Sequence, residues 1–489
     1  MGPANASWHS QGLFLSLTAN PAVPDSCPFP RRLSSCAGRF FPASPPTSGP
    51  AVMKTRLFIM MFLEFFIWGA WLPLIFGYLP LLEFTAFQVS LILNAFPIAS
   101  MVGMFFSNQF ADRNFSAERF LAFSHLVGGL AMLGLGFVTD FTTFLVLMSI
   151  HCLLYVPTIS ITNTVAFANM KDAQSEFGVV RLGGTIGWIA ASLPFTFIFV
   201  DWATVEAAQK TDFVEWLGLV LGSGLQGDAL RDATKWTYIV AGLASLLLAA
   251  YSLTLPHTPP KPATQDGSRS SLAWLEALSL LKHPFVLVLW LVAFLDSFVH
   301  NCYFNWTGSY LQTAEVGVPG NWVMPVMSIG QVAEILTMLV LGAALRTLGW
   351  RTTMIVGVLG HALRFAVYTW YPDRTAIITI QVVHGICYAF FFATVYIFVD
   401  EYFPKDVRTS AQGLFNVMIL GLGALAANTL CPWLLEQSTS VVDEQKVVNF
   451  KQLFQVPLAA SVLAAVALAV LFHPPKKATT ATGSAATPH

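Results

Sequence analysis

Within SIGQVAEILTMLVL (328–341), a run apolar enough for the interior of a lipid bilayer, Gln331 and Glu334 stand three residues apart. A helix puts them one turn from each other on one face. An amide beside a carboxylate can recognise hydroxyls and ring N–H groups, and the acid can also carry a proton. A second polar stripe lies in LDSFVHNCYFNW (295–306), where Asp296 and His300 are four residues apart with Asn301 and Asn305 close by. An ionisable group inside a membrane helix costs roughly 2.5–3.5 kcal/mol on insertion scales unless it meets a partner or water. Both stripes are therefore expected to face the interior of a helical bundle rather than lipid.

The other ionisable groups in apolar surroundings are Glu64, His125, His151, Arg364 and His384, with Arg181 near the end of an apolar run. His125 and His151 read as neutral, hydrogen-bonded packing residues, and Arg364 as a structural cation that pairs with an acid or snorkels. No enzyme constellation competes with the two stripes. The chain has no phosphate-binding Gly-Lys-Ser/Thr loop, no HExxH and no GxSxG, and its six cysteines are scattered without paired spacing. These features read as no enzyme, no resident metal and no cofactor.

The elements that hold the stripes follow from composition. Hydrophobic residues make up 55% of the chain and charged residues 10%, against roughly 25% charged in soluble domains, and the mean hydropathy is +0.64. This is an integral membrane protein, and its formal net charge of -1 gives no case for a nucleic-acid partner. Twelve apolar runs lie near 57–79, 88–111, 118–138, 141–167, 179–200, 236–255, 284–311, 322–345, 352–371, 375–400, 409–433 and 452–473. Alternate gaps and both flanks carry fifteen Lys and Arg, from Lys54 to Lys477, whereas the opposite gaps carry six: Lys210, Arg231, Lys235, Arg374, Lys446 and Lys451. By the positive-inside rule both termini are expected on the cytoplasmic side.

Residues 1–52, rich in Pro and Ser, are expected to be disordered or a non-native N-terminal extension. Two bundles are expected at 53–255 and 284–473, with a Pro- and Ser-rich cytoplasmic linker at 256–283 and a disordered cytoplasmic tail at 474–489. Within the linker, SLAWLEALSLLK (271–282) has helical apolar spacing. The halves look duplicated: Arg113 and His151 of HCLLY are 38 residues apart, and so are Arg346 and His384 of HGICY. The reading is an all-α membrane protein with twelve transmembrane helices in two pseudo-symmetric six-helix halves, the plan of the major facilitator fold. FADRNFSAERF (110–120) resembles the signature loop of that superfamily, which assigns Asp112 and Arg113 to a conformational gate.

Six segments in register, YVPTISITNTVAF (155–167), RLGGTIGWI (181–189), TLPHTP (254–259), SIGQVAE (328–334), ALRFAVY (362–368) and VRTSAQGLF (407–415), resemble those of the bacterial nucleoside–proton symporters. The likeness covers nearly everything after residue 53. It implies a protein of the inner membrane, acting as a monomer, that imports a nucleoside through a central cavity with a proton as coupling ion. Carried over by position, Arg181, Thr185, Trp188, Asn301, Gln331 and Glu334 are the expected substrate-binding residues. Trp188 stands where the family has a stacking Phe, and Asn301 takes the place of a Gln. The tenth run departs, with Ala389 where the family carries an Asp, so Glu334, Asp296 and His300 become the candidates for proton coupling. That departure leaves a sugar or other small polar solute open as substrate.

Overall fold

The computed structural model describes residues 50–106, 115–170, 173–259, 278–403, 405–442 and 445–473. Asp112 and Arg113, most of the 256–283 linker, residues 1–49 and the 474–489 tail lie outside the described residues. Nearly everything described is helical. The first span is Pro50–Leu81, and the second joins Ala86–Leu93 to Ala95–Phe106. The third and fourth are Ala117–Leu135 and Phe141–Asn169, the fifth runs through Ala173–Ala191 and Leu193–Ile198, and the sixth is Gly227–Ser252. In the second half the seventh span is Pro284–Leu311. The eighth and ninth form one helical run, Val323–Trp370, bent at Gly349 with φ 74°. The tenth is Arg374–Tyr402, the eleventh extends from Lys405 to Gln437, and the twelfth is Phe450–Leu471.

Apolar length explains most of this set, because about 20 residues rising 1.5 Å each cross the hydrocarbon layer, although the third and fifth spans are less apolar. Local signals set the ends. Thr85 closes a capping box with Gln88, and Asp140, Asp373 and Asn449 cap the fourth, tenth and twelfth spans. All four caps lie at the bundle end remote from the linker, the end poor in Lys and Arg. Here carboxylates and amides satisfy free helix N–H groups.

Small residues bring the functional spans together. The fifth span lies along the first, and a Cβ added at Gly183 would stand 2.6 Å from the Phe58 carbonyl oxygen, while one at Gly187 would collide with the backbone of Phe62. Such backbone contact requires glycine, and it fixes the RLGGTIGW turn that carries Arg181, Thr185 and Trp188. Likewise the tenth span crosses the eighth where Gly385 abuts the backbone of Glu334. The halves meet through the first span on the seventh, the second on the eleventh and the fifth on the eighth. Large apolar side chains such as Phe137 and Leu339 project outward, where lipid surrounds them.

Two stretches differ from the sequence expectation. Residues 201–226 fold into two short helices, Trp202–Ala207 and Phe213–Gly222, with N-caps Asp201 and Asp212. The sixth span then starts at Gly227, earlier than its apolar run, because the polar first turns bearing Asp228 and Arg231 continue the helix beyond the hydrocarbon. A hairpin, Thr439–Val442 with Gln445–Val448, joins the eleventh and twelfth spans.

Candidate functional site

Between the halves lies a cavity of about 1210 Å³. One wall comes from the first and fifth spans: Phe65, Trp68, Trp71, Arg181, Thr185 and Trp188. The facing wall comes from the seventh, eighth and tenth: His300, Asn301, Phe304, Gln331, Glu334, His384, Tyr388 and Phe392. Aromatic rings form a box on one side. Trp68 stacks on Phe96 at 4.8 Å, Trp188 meets Trp68 edge-on at 5.3 Å, and Phe304 faces Trp188 at 6.5 Å. The Arg181 guanidinium lies 4.1 Å over the Phe65 ring, and Glu334 lines the same cavity.

Several buried polar atoms of the lining residues have no hydrogen-bond partner among the described residues. They are the Gln331 Oε1 acceptor, the Trp68 and Trp71 Nε1 donors and His300 Nδ1. Buried polar groups are ordinarily paired, so this set leaves unused bonding capacity beside the cavity. Asn301 is partly committed, donating Nδ2 to the Ser297 carbonyl at 2.8 Å.

Six of the residues expected to meet substrate thus line one cavity, together with His300. Asp296 does not join them. It sits behind the wall, 1% exposed, with Oδ1 3.8 Å from Nε2 of His361. Arg364 does not snorkel, because it is 0% exposed, and it forms no direct ion pair with an acid among the described residues. Instead it donates to Nδ1 of His384 at 2.9 Å and of His361 at 2.7 Å. His361 went unnoticed in the sequence, although its spacing of three from Arg364 on one helix was a usable signal. The tenth span supplies no carboxylate here. Ala389 is buried in a π-helical turn, Tyr388–Ala393, whose wide backbone loop is closed by Thr394 Oγ1 on the Ala389 carbonyl at 3.1 Å.

Another buried acid, Glu64, is saturated. His125 Nε2 lies 2.9 Å from one oxygen and Thr158 Oγ1 donates to the other at 2.8 Å, while Ser245 Oγ holds His125 Nδ1 at 3.0 Å. His151 Nδ1 donates to the Gly128 carbonyl. These groups hold the first half together away from the cavity lining, in keeping with a packing role for both histidines.

One end of the cavity is sealed and the other is not. At the capped end Trp322 Nε1 donates to Leu221 O at 2.6 Å and Asn321 Nδ2 to Thr196 O at 3.2 Å. Nearby, Asn428 Nδ2 donates to Leu93 O at 3.0 Å and Asn94 Nδ2 to Thr429 Oγ1 at 2.9 Å. Toward the linker end the lining continues through Ser160, Asn163, Leu278 and Gln412. There Glu118 ties down the start of the linker, taking Thr258 N–H at 2.9 Å and meeting His257 Nδ1 at 2.8 Å. That clamp gives the TLPHTP segment a physical purpose.

Membrane-length helices packed in two halves around a central cavity with one closed end define a membrane transporter of the major facilitator fold. A family model described as Nucleoside H+ symporter matches residues 52–217 and 218–477, and the chain belongs to that family. It is 30% identical over 394 residues to the putative nucleoside transporter YegT of Escherichia coli K12, covering 79% of this chain and 85% of that one. It is 29% identical to the xanthosine permease of the same organism, over 77% of this chain and 86% of the relative. Among solved structures, that of the nucleoside transporter NupG superposes with a TM-score of 0.69 at 22% identity, over 86% of this chain and 100% of the other.

Proposed function

We propose that this protein imports nucleosides across the bacterial inner membrane together with protons, by alternating access around the cavity. The observation that carries the reading is the pairing of an aromatic box with unsatisfied donors and acceptors. The rings of Trp68 and Trp188, set edge-on to each other, offer faces for a flat nucleobase. The Gln331 carbonyl and the Trp68 and Trp71 N–H groups match base edges, and Glu334 with Arg181 matches ribose hydroxyls. Family membership and the xanthosine permease relative support the substrate class. A sugar would meet the polar groups but leave the aromatic box largely unused.

In this reading residues 53–255 and 284–473 rock about the cavity as two bundles joined by the cytoplasmic linker 256–283. The excess of Lys and Arg supports cytoplasmic termini. The sealed end then faces outward, and the cavity opens inward. The protein works as a monomer in the bilayer, with no enzymatic step.

Radiolabelled uridine and adenosine uptake into proteoliposomes containing the full chain, with and without an inward proton gradient, tests this. Accumulation that needs the gradient supports symport. Uptake that only equilibrates indicates a facilitator, and uptake of neither overturns the nucleoside reading.

A further inference from the structure

Behind the cavity wall lies a charge cluster that substrate recognition does not use. Arg364 is fully buried, its guanidinium 4.1 Å over Tyr303, and two of its nitrogens donate to His361 and His384. Arginine offers only donors and keeps its charge. Each histidine Nδ1 must therefore present a lone pair, which makes both rings neutral with the hydrogen on Nε2. The His361 Nε2–H is the ring edge nearest Asp296, at 3.8 Å, within ion-pair range but longer than a hydrogen bond.

Neither oxygen of Asp296 has a hydrogen-bond partner among the described residues. Glu64, by contrast, has both oxygens bonded. Asp296 has no such ties, so its protonation breaks no hydrogen bond. The groups facing the cluster are few: Asp296, His300 and Tyr303 of the seventh span, His361, Arg364 and Tyr368 of the ninth, and His384 and Cys387 of the tenth. Glu334 of the eighth span stands on the cavity side, and no titratable group from the described parts of the eleventh and twelfth spans enters. With Asp296 ionised the cluster is neutral, and with Asp296 protonated it carries one positive charge in a dry core.

His300 links this core to the cavity. It lies one turn from Asp296, lines the cavity, and its ring is 4.9 Å from that of His384 and edge-on to that of His361 at 5.9 Å. It has no bond to Arg364, and its Nδ1 is unpartnered. We propose that Asp296, set against Arg364 through His361, binds the coupling proton, with His300 on the cavity side of the path by which that proton arrives. In the uptake step hydronium from the cavity gives its proton to the Asp296 carboxylate. Water and a neutral carboxylic acid result, and release reverses the path.

The proposal rests on the transport reading above, so its test includes a measurement that needs no nucleoside. Infrared difference spectra of the full chain in liposomes, recorded between low and high pH, are expected to contain a carbonyl band from a buried carboxylic acid. Asp296→Asn should lose that band, and Glu334→Gln should keep it. Because Asp296→Asn leaves Arg364 unbalanced and could impair folding, the double variant Asp296→Asn/Arg364→Gln, neutral in the core, is measured beside it and should also lack the band. In the uridine assay Asp296→Asn should lose proton-driven accumulation. Survival of the titrating band in either Asp296 variant overturns the proposal, whatever the uptake result. Loss of the band in those variants while the wild type takes up no nucleoside would leave the proton site standing and sink the substrate assignment instead.

Discussion

Asn305 donates its amide to Oδ1 of Asn428 at 3.1 Å, and Asn428 in turn reaches across to the Leu93 carbonyl. This relay joins the seventh and eleventh spans to the second at the sealed end of the cavity. Asn428→Ala removes both bonds, each worth about 1 kcal/mol, and should shift the population toward a state open at that end. A cysteine placed at Ser100 on the cavity wall should then react faster with a membrane-impermeant thiol reagent added outside. An unchanged rate would show that the bonds of Asn94, Asn321 and Trp322 hold the seal without it.

The cavity assignment predicts binding losses of different size. Trp188→Ala removes edge-to-face ring contacts and should weaken uridine binding by about 1 kcal/mol. Gln331→Ala and Arg181→Ala each leave a polar group of the substrate unpaired and should cost about 1–3 kcal/mol. Calorimetry on purified protein measures these, and unchanged affinity in all three variants would remove the cavity as the substrate site.

Glu334→Gln separates binding from coupling. The amide preserves shape but not charge, so affinity should fall while accumulation of uridine still follows an imposed pH difference. If accumulation disappears with binding intact, Glu334 rather than Asp296 is the coupling acid.

The linker clamp should show in stability. Glu118 receives two bonds in a nearly buried position, and hydrogen bonds to a charged group are worth about 1.5–3 kcal/mol. Glu118→Ala should therefore lower the thermal midpoint in detergent clearly. His257→Ala should lower it less, because the His257 side chain is 66% exposed.

Backbone contact predicts the sharpest folding defect. A Val side chain at Gly187 collides with the Phe62 backbone, so Gly187→Val should yield little monodisperse protein by size exclusion. Gly178→Ala, where an added Cβ meets nothing within 4 Å, is its control on the same helix.

Much of this arrangement was legible in the residues. Most of the spans follow from apolar length, which the membrane enforces whatever the tertiary contacts. Gln331 and Glu334 stood out because polar groups in such a run need a wet surface. The orientation of Asp296 was not legible: it shares a helical stripe with His300, yet the two diverge, one to the cavity and the other to Arg364. The bond from Arg364 to His384 spans two helices and depends on the packing of Gly330 against His384, which periodicity does not report. The 201–226 helices were missed because their caps are local and their apolar runs are short. The gate residues Asp112 and Arg113 lie outside the described residues.

The single left-handed residue Gly349 is all that separates the eighth span from the ninth. So short a joint keeps the ends of the two helices together. One helix carries Gln331 and Glu334, which line the cavity, and the other carries His361 and Arg364, bonded to each other behind its wall, so a movement of one helix at that joint must be accommodated by the other.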